Sequence, residues 1–565
     1  MIRLGTVFSG VGAIEHALKR LNLEHKIVFA CDNGGVDIFG KKIGDNFLEI
    51  DEEIIYLDKI IKNLNIPNFE EYIDKLKNDL EVLVLEVSNI KINFLNRDID
   101  IQEIKKQLKL VYDEIDFSNI KEFKKFIPIE NQDISNILVL VNELEKYITK
   151  NFIDNYFLKE KAKYFKKVTE NKEYRKMRRE IKEVPKKLSE LHSTIKTLEV
   201  LSELSKINEY EEKKRYVDSL YSSKKNSNFV KKSYEANYEI KDKDFHWNVS
   251  FLDGNQYKGK VDLFVGGSPC QSFSMVGKRK GFEDTRGTLF YEFVRILKEV
   301  EPRFFIYENV QGVLSHDGGQ TWEIMQNSFR EAGYYFKYYV LNAKNFGIPQ
   351  NRNRIFVVGA KSEEDFKKFG SPQEIELELT LSNFLEDTIE NKYFLPEKGI
   401  KFVTDPKNLD KQYTQINGKI ALCQKANQQF NWHGDFIEYY SENELERISK
   451  IDQKYFLSDK VKNYVLSEED SLIKPEVDLK IARPLTATMH KMHRAGVDNY
   501  ISYGKNLPLE KRKIRKLTPR ECFRLMGFSD DFKIVVSDTQ AYQQAGNSIV
   551  VDILINLLEN VFKFY

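Results

Sequence analysis

The chain has 565 residues, enough for a large core with appended parts rather than one ordinary domain. Its 88 Lys and Arg nearly balance 87 Asp and Glu; a formal charge of +1 gives no overall positive field, and any basic surface must be local. Four cysteines (Cys31, Cys270, Cys423, Cys522) stand far apart with no C-x-x-C pair, which excludes a disulfide framework or thiolate zinc site and favours a reducing compartment.

Residues 4–8 form a short apolar strand that runs into the turn Ser9-Gly10-Val11-Gly12-Ala13, and residues 14–23 then have helical spacing. Strand, glycine turn and helix let a backbone approach a ligand closely at a helix N-terminus. The next strand, 27–30, ends at Cys31-Asp32, where an acid can accept hydrogen bonds from both hydroxyls of a ribose.

The pattern then changes. No glycine occurs between Gly44 and Gly254, although the chain holds 28. Ile50, Ile54, Leu57, Ile61 and Leu64 recur at helical spacing, as do Ile181, Leu188, Leu191, Ile195, Leu198 and Leu201, so residues 45–245 read as an inserted all-helical segment. Its charge is divided: 51–150 carries 14 basic against 21 acidic residues, 151–250 carries 24 against 17. The basic half, above all 159–187, either follows a polyanion or forms solvated helix faces with i,i+4 pairs; self-association of the segment is the equal alternative.

Residues 261–274 read V-D-L-F-V-G-G-S-P-C-Q-S-F-S: a buried strand, a glycine turn, then Pro269 and Cys270 among polar residues. A lone Cys is usually a small buried hydrophobe, but this one lies beyond the apolar run, at the kind of strand end where α/β sheets hold ligands. Cys270 is the candidate nucleophile. The glycine-punctuated stretch 277–289 offers Lys278, Arg279, Lys280 and Arg286 to phosphates. The strand 303–307 ends in Glu308-Asn309-Val310, a carboxyl placed for general-acid work. Gln350-Asn351-Arg352-Asn353-Arg354 puts two guanidiniums on one face of an extended chain, able to grip a base oxygen or phosphate. Residues 362–513 have no dominant period; His490 and His493 there lack carboxylate or thiolate neighbours, so no metal site is expected. Arg515–Phe528 is a capped helix with Thr518 as N-cap, Pro519 first and Glu521 third, and Q-Q-A-G-N-S-I-V-V from Gln543 opens the last apolar helix.

The motifs G-S-P-C-Q-S-F-S, E-N-V, Q-N-R-N-R, L-T-P-R-E-C and G-N-S, with the first glycine turn, resemble in kind and order those of the DNA (cytosine-5)-methyltransferases. The resemblance covers roughly 1–32 and 248–565. It implies an α/β fold: a Rossmann-like S-adenosylmethionine-dependent methyltransferase sheet in three pieces (1–44, 246–361, 514–565), a small target-recognition domain at 362–513, and the helical insertion as an addition. S-adenosyl-L-methionine is the implied cofactor, with Phe8 against the adenine, Ser9, Gly10 and Gly12 admitting the methionine part, and Asp32 on the ribose. Asp253 would take the adenine amino group, though a turn Asp before Gly254 is a nearly equal reading. Pro269, Leu289, Asn547 and Ser548 would complete the pocket. Ala13 stands where the family commonly has glycine, and Asp32 where it usually has Glu. By the same resemblance Cys270 attacks carbon 6 of cytosine, Glu308 holds the ring at nitrogen 3 and stabilises or protonates it, and Arg354 binds the exocyclic oxygen, with Arg352 beside it in the catalytic set. Gln271 and Ser274 join Lys278, Arg279, Lys280 and Arg286 on double-stranded DNA, and the target base must be flipped out. A tRNA cytosine-5 methyltransferase and an inactive DNA-binding scaffold are the alternatives; the long stretch before L-T-P-R-E favours DNA, and the intact Cys, Glu and Arg set opposes the scaffold. The expected setting is the cytoplasm, in association with the nucleoid, since no signal peptide or spanning run is present. The expected partner beyond DNA is a cognate restriction endonuclease.

Overall fold

The computed structural model describes residues 1–269 apart from short stretches at 45–46, 67–69, 96–100, 116–133 in part and 152–154, then 288–386 and 513–563 throughout, and isolated segments of 387–512. Two compact units emerge, one formed by Met1–Val36 with Val217–Tyr565 and the other by Asp37–Tyr216.

The first unit is built on a seven-stranded sheet: β1 (Ile2–Val7), β2 (His25–Cys31), β3 (Phe245–His246), β4 (Leu263–Gly266), β5 (Phe304–Val310), β6 (Tyr335–Asn342) and β7 (Asn353–Ala360), in the order β3-β2-β1-β4-β5-β7-β6. All neighbours are parallel except β7, which runs antiparallel to both β5 and β6. The central strands are apolar on both faces, as a helix-covered parallel sheet demands. Alternation divides them: Leu263, Val265, Phe304 and Ile306 enter one core, Phe264, Phe305 and Tyr307 the other. Helix α1 (Ala13–Arg20) and the C-terminal helices Pro519–Leu525 and Val551–Asn556 cover the first face, and Thr288–Val300 with Gln320–Glu331 the second. Full burial of each such aromatic or aliphatic side chain contributes about 1.5–3 kcal/mol. The capped helix is as expected: Thr518 and Glu521 form a reciprocal capping box over Pro519–Leu525.

The second unit is helical, with α2 (Phe47–Asn63), α3 (Glu70–Leu95), α4 (Ile101–Glu114), α5 (Ile134–Asn151), α6 (Tyr156–Glu170) and α7 (Lys172–Lys206), the longest of these. The two apolar periodicities meet: Ile50, Leu57 and Ile61 of α2 pack in one cluster with Ile181, Leu188, Ile195 and Leu198 of α7 and with Leu76 and Leu80 of α3. A second cluster joins Leu108, Leu140, Leu144, Leu158 and Phe165 from α4, α5 and α6. This unit ends at Tyr216, short of the expected 245, because the chain beyond α8 (Tyr210–Leu220) already serves the sheet: α9 (Phe229–Asn237) packs Tyr234 on Ala30 and Phe245, and β3 extends β2.

Within 394–516 six short strands pair into a separate sheet: β8 (Phe394–Leu395), β9 (Thr414–Ile416), β10 (Trp432–Tyr439), β11 (Ala495–Gly496), β12 (Tyr500–Tyr503) and β13 (Lys513–Lys516). No helix among the described residues is long and apolar enough to cross a membrane.

One buried acid links α1, α9 and β1. Glu15 is 0% exposed; one carboxyl oxygen accepts the hydroxyls of Tyr234 and Thr6, while the other has no partner among the described residues. Burial pushes its pKa up to about 7 from 4.5, against the hydrogen bonds that lower it. Below about pH 4.5 both folded and unfolded chains hold this proton. As pH rises to about 7 only the unfolded chain loses it, so stability falls through that window and the loss is constant above it. Glu15→Gln keeps the acceptor and removes the titration. The variant's unfolding midpoint should therefore gain on the parent between pH 5 and 7, by on the order of 3 kcal/mol at full effect; parallel denaturation curves at pH 5, 6, 7 and 8 measure it.

Candidate active site

The strand order reverses between β1 and β4, which are neighbours with β2 and β5 on their outer sides. At such a switch point the loops leaving two adjacent strands diverge and open a crevice at their carboxyl ends. Val7 and Gly266 pair at those ends, and a cleft of about 40 Å³ opens there, lined by Phe8, Ser9, Gly10, Gly266, Asn547 and Ser548 among others. The structure thus brings the first glycine turn and the last motif together from opposite ends of the chain.

The turn is held in an unusual backbone. Phe8, Gly10 and Gly12 all have positive φ (53°, 54° and 81°), a region a bulky residue such as Phe rarely adopts. Ser9 pins it: its N–H donates to Cys31 O at 3.2 Å, and its hydroxyl accepts from Cys31 N at 3.0 Å. A side chain at Gly12 would strike the Tyr238 ring at 2.2 Å, whereas Gly10 faces open space. Asp32 fastens the turn to β2 by accepting Gly10 N at 2.9 Å and Gly34 N at 2.8 Å. Burial raises its pKa and the two amides oppose that rise. Each carboxyl oxygen retains acceptor capacity for a diol.

On the other side of β4, Glu308 ends β5. Its carboxyl lies 3.1 Å from Arg354 Nε and is 15% exposed. Burial raises its pKa, opposed by the charges of Arg354 and Arg352. Residues leading to Cys270 are clamped against it. Asn309 Nδ2 donates to Ser268 O at 3.2 Å and to the Tyr307 hydroxyl at 2.8 Å, which is 2.7 Å from Ser268 Oγ. A Cβ on Gly267 would stand 2.8 Å from Glu308 O and 3.0 Å from its Oε2, so only glycine permits this approach. Tyr307, Asn309 and Ser268 are positioning residues that the sequence reading missed. The Asn following Glu308 was the available signal.

Other expectations fare differently. Arg352 is buried and donates to the carbonyls of Gly546 (3.1 Å) and Ser548 (3.0 Å), so it spans Asn547 rather than presenting its guanidinium beside Arg354. Gln350, also overlooked, ties the same loop to Leu525 O at 2.8 Å. Asp253 caps a 3-10 turn, accepting Asn255 N at 3.1 Å, which is the turn-Asp reading. Leu289 begins the helix Thr288–Val300 and packs on the second core, and Pro269 is exposed. Cys270, Gln271, Ser274, Lys278, Arg279, Lys280 and Arg286 lie outside the described residues.

Residues 211–563 match the family described as C-5 cytosine-specific DNA methylase. The chain belongs to that family. It is similar to the orphan methyltransferase M.SPRI of Bacillus phage SPR, 31% identical over 404 residues that cover 59% of this chain and 89% of that protein. Similar too are the type II methyltransferases M.SsoII of Shigella sonnei (32% identical, 61% of this chain and 74% of that one) and M.HpaII of Haemophilus parainfluenzae (31%, 57% and 77%).

Two substitutions test how this methylase holds its site. Arg352→Gln removes both carbonyl bonds behind Asn547 and should weaken S-adenosylmethionine binding roughly 10-fold or more, the worth of a charged hydrogen bond; isothermal titration reads it. Gly267→Ala forces Glu308 from its place and should lower methyl transfer by about 100-fold, while cofactor affinity stays near that of the parent.

Proposed function

We propose that the methylase transfers a methyl group from S-adenosyl-L-methionine to carbon 5 of a flipped cytosine in a specific duplex DNA site, through a covalent adduct of Cys270. The observation that carries this reading is the Glu308–Arg354 pair, set against Gly267 three residues before Cys270.

Carbon 5 of cytosine is too weak a nucleophile to take a methyl group unaided; thiolate addition at carbon 6 makes it an enamine. The raised pKa of Glu308 favours the protonated carboxyl that nitrogen 3 needs as electron density arrives. Arg354 holds that carboxyl in place and offers its remaining N–H groups to the exocyclic oxygen. Loss of the carbon-5 proton then expels the Cys270 sulfur and restores the ring. A base inside a duplex is out of reach, so it is extruded, and Gln271 with the Lys278–Arg286 cations are the groups we assign to the gap and the flanking phosphates.

Groups suited to the cofactor's parts stand at and beside the cleft of the β1–β4 switch: the open Gly10 and exposed Asn547 in its lining, and the Asp32 carboxylate, bonded to Gly10 N, for the ribose. When bound there, the cofactor supplies the electrophilic methyl. The sheet of β8–β13 occupies the stretch assigned to target recognition. M.SsoII and M.HpaII are named as type II methyltransferases, and on that ground a cognate restriction endonuclease is the partner we assign.

The test is transfer of labelled methyl from S-adenosylmethionine to mixed-sequence duplex DNA and, separately, to total tRNA. Label should enter DNA cytosines, vanish with Cys270→Ala, and fall by about 10²–10⁴ with Glu308→Gln. Label confined to tRNA overturns the duplex reading.

A further inference from the structure

Helix α7 carries one exposed cation per turn over three turns: Arg175, Arg179, Lys182 and Lys186. At about 100° per residue these four fall within roughly 60° of the helix circumference, and they span about 16 Å along its axis. Glu183 stands one turn from both Arg179 and Lys186, about 40° to one side of the stripe, and among the described residues no ion pair joins it to either. Other lysines of this unit are paired: Lys187 with Glu86, Lys91 with Asp51 and Lys62 with Asp58. Among the described residues Arg179, Lys182 and Lys186 have no such partner, and Arg175 uses only Nε, on Thr169 O at 3.3 Å. The run is not isolated. Residues 156–187 hold 13 basic against 5 acidic residues, and Lys159, Lys163 and Lys166 line a groove of about 410 Å³ along α6.

Like charges in a row repel one another, and a polyanion that meets them relieves that repulsion. The substrate of this family is one. We propose that the α7 stripe is a second DNA contact, outside the methyltransferase sheet, that binds the phosphate backbone without reading sequence. Duplex DNA presents a charge every ~1.7 Å of its axis, so a straight 16 Å row of cations meets several phosphates whatever the bases. The inference rests on duplex DNA being the substrate.

The experiment uses the full chain and a poly(dA)·poly(dT) duplex, which contains no cytosine. Affinity is measured by anisotropy between about 50 and 300 mM salt, where each phosphate contact contributes a slope of about −0.9 in log K against log salt. Replacing Arg175, Arg179, Lys182 and Lys186 together by Gln should reduce the slope by about three to four and weaken low-salt binding roughly 10- to 100-fold. Arg175→Lys with Arg179→Lys should keep the slope, which separates charge from helix integrity, and Lys59→Gln on α2 should leave it unchanged. A quadruple variant with the parent's slope and affinity overturns the proposal and assigns the stripe to an acidic protein partner instead. Methyl transfer by the unsubstituted chain, assayed alongside, fails only if the duplex reading itself is wrong.

Discussion

Two consecutive glycines at the end of β4 set the geometry of this molecule. A side chain on Gly266 would come within 2.7 Å of Val7 O, and one on Gly267 within 2.8 Å of Glu308 O. Because neither position carries one, the ends of β1, β4 and β5 converge, with the cleft between Phe8 and Ser548 on one side of β4 and the acid–guanidinium pair on the other. The distance between the cleft and the acid–guanidinium pair is thereby fixed by sheet spacing, the most rigid ruler a fold offers. Everything else in the site is attached to that ruler. Ser9 and Asp32 secure the first turn to β2, Asn309 and Tyr307 secure Ser268 to β5, and Arg352 secures the loop around Asn547.

The electrostatics follow from the same convergence. Glu308 sits where burial favours its neutral form, yet it keeps Arg354 at 3.1 Å. For the proton donation proposed for Glu308, a fully compensated ion pair would leave no proton to give and an isolated acid would not be oriented; burial and Arg354 act on it in opposite directions. Arg352 contributes to that balance at longer range while its hydrogen bonds go elsewhere. One guanidinium thus acts in two directions, by charge toward the acid and by hydrogen bonds toward the loop around Asn547.

Local chemistry was legible in the sequence, and contact across strands was not. The Thr518-Pro519-x-Glu521 cap and the two apolar stripes of the insertion depend on spacings of three and four residues, which one helix turn enforces. The motif order pointed to the family because strand ends and turn glycines are local signals. The clamp of Asn309 on Ser268 depends on the β4–β5 register, and the turning of Arg352 toward residues 546–548 on a contact nearly two hundred positions away; nothing nearby announces either. The end of the helical unit was misplaced for a related reason. Residues 217–245 have helical composition, but their burial is decided by Ala30 and Glu15, which stand far upstream.

That last detail explains how a unit of this size can interrupt the sheet. The chain departs after Asp32 and returns through α9 and β3, and the two ends are joined inside the sheet unit itself. Asp32 N donates to His246 O at 3.0 Å, Asn228 Nδ2 donates to Asp32 O at 2.9 Å, and Tyr234 reaches Glu15. Closing a longer loop costs only about 0.6 kcal/mol per doubling of its length, so the helices add little entropic penalty once the stem is fixed. The stem, however, is fixed on the residue assigned to the ribose. Asp32 is at once the point where the chain leaves β2 and the acceptor of Gly10 N, so a strain carried into residues 33–36 reaches the glycine turn through that bond. The bonds that anchor the helical unit lie within the sheet unit, so its length adds only the slowly growing cost of a longer loop.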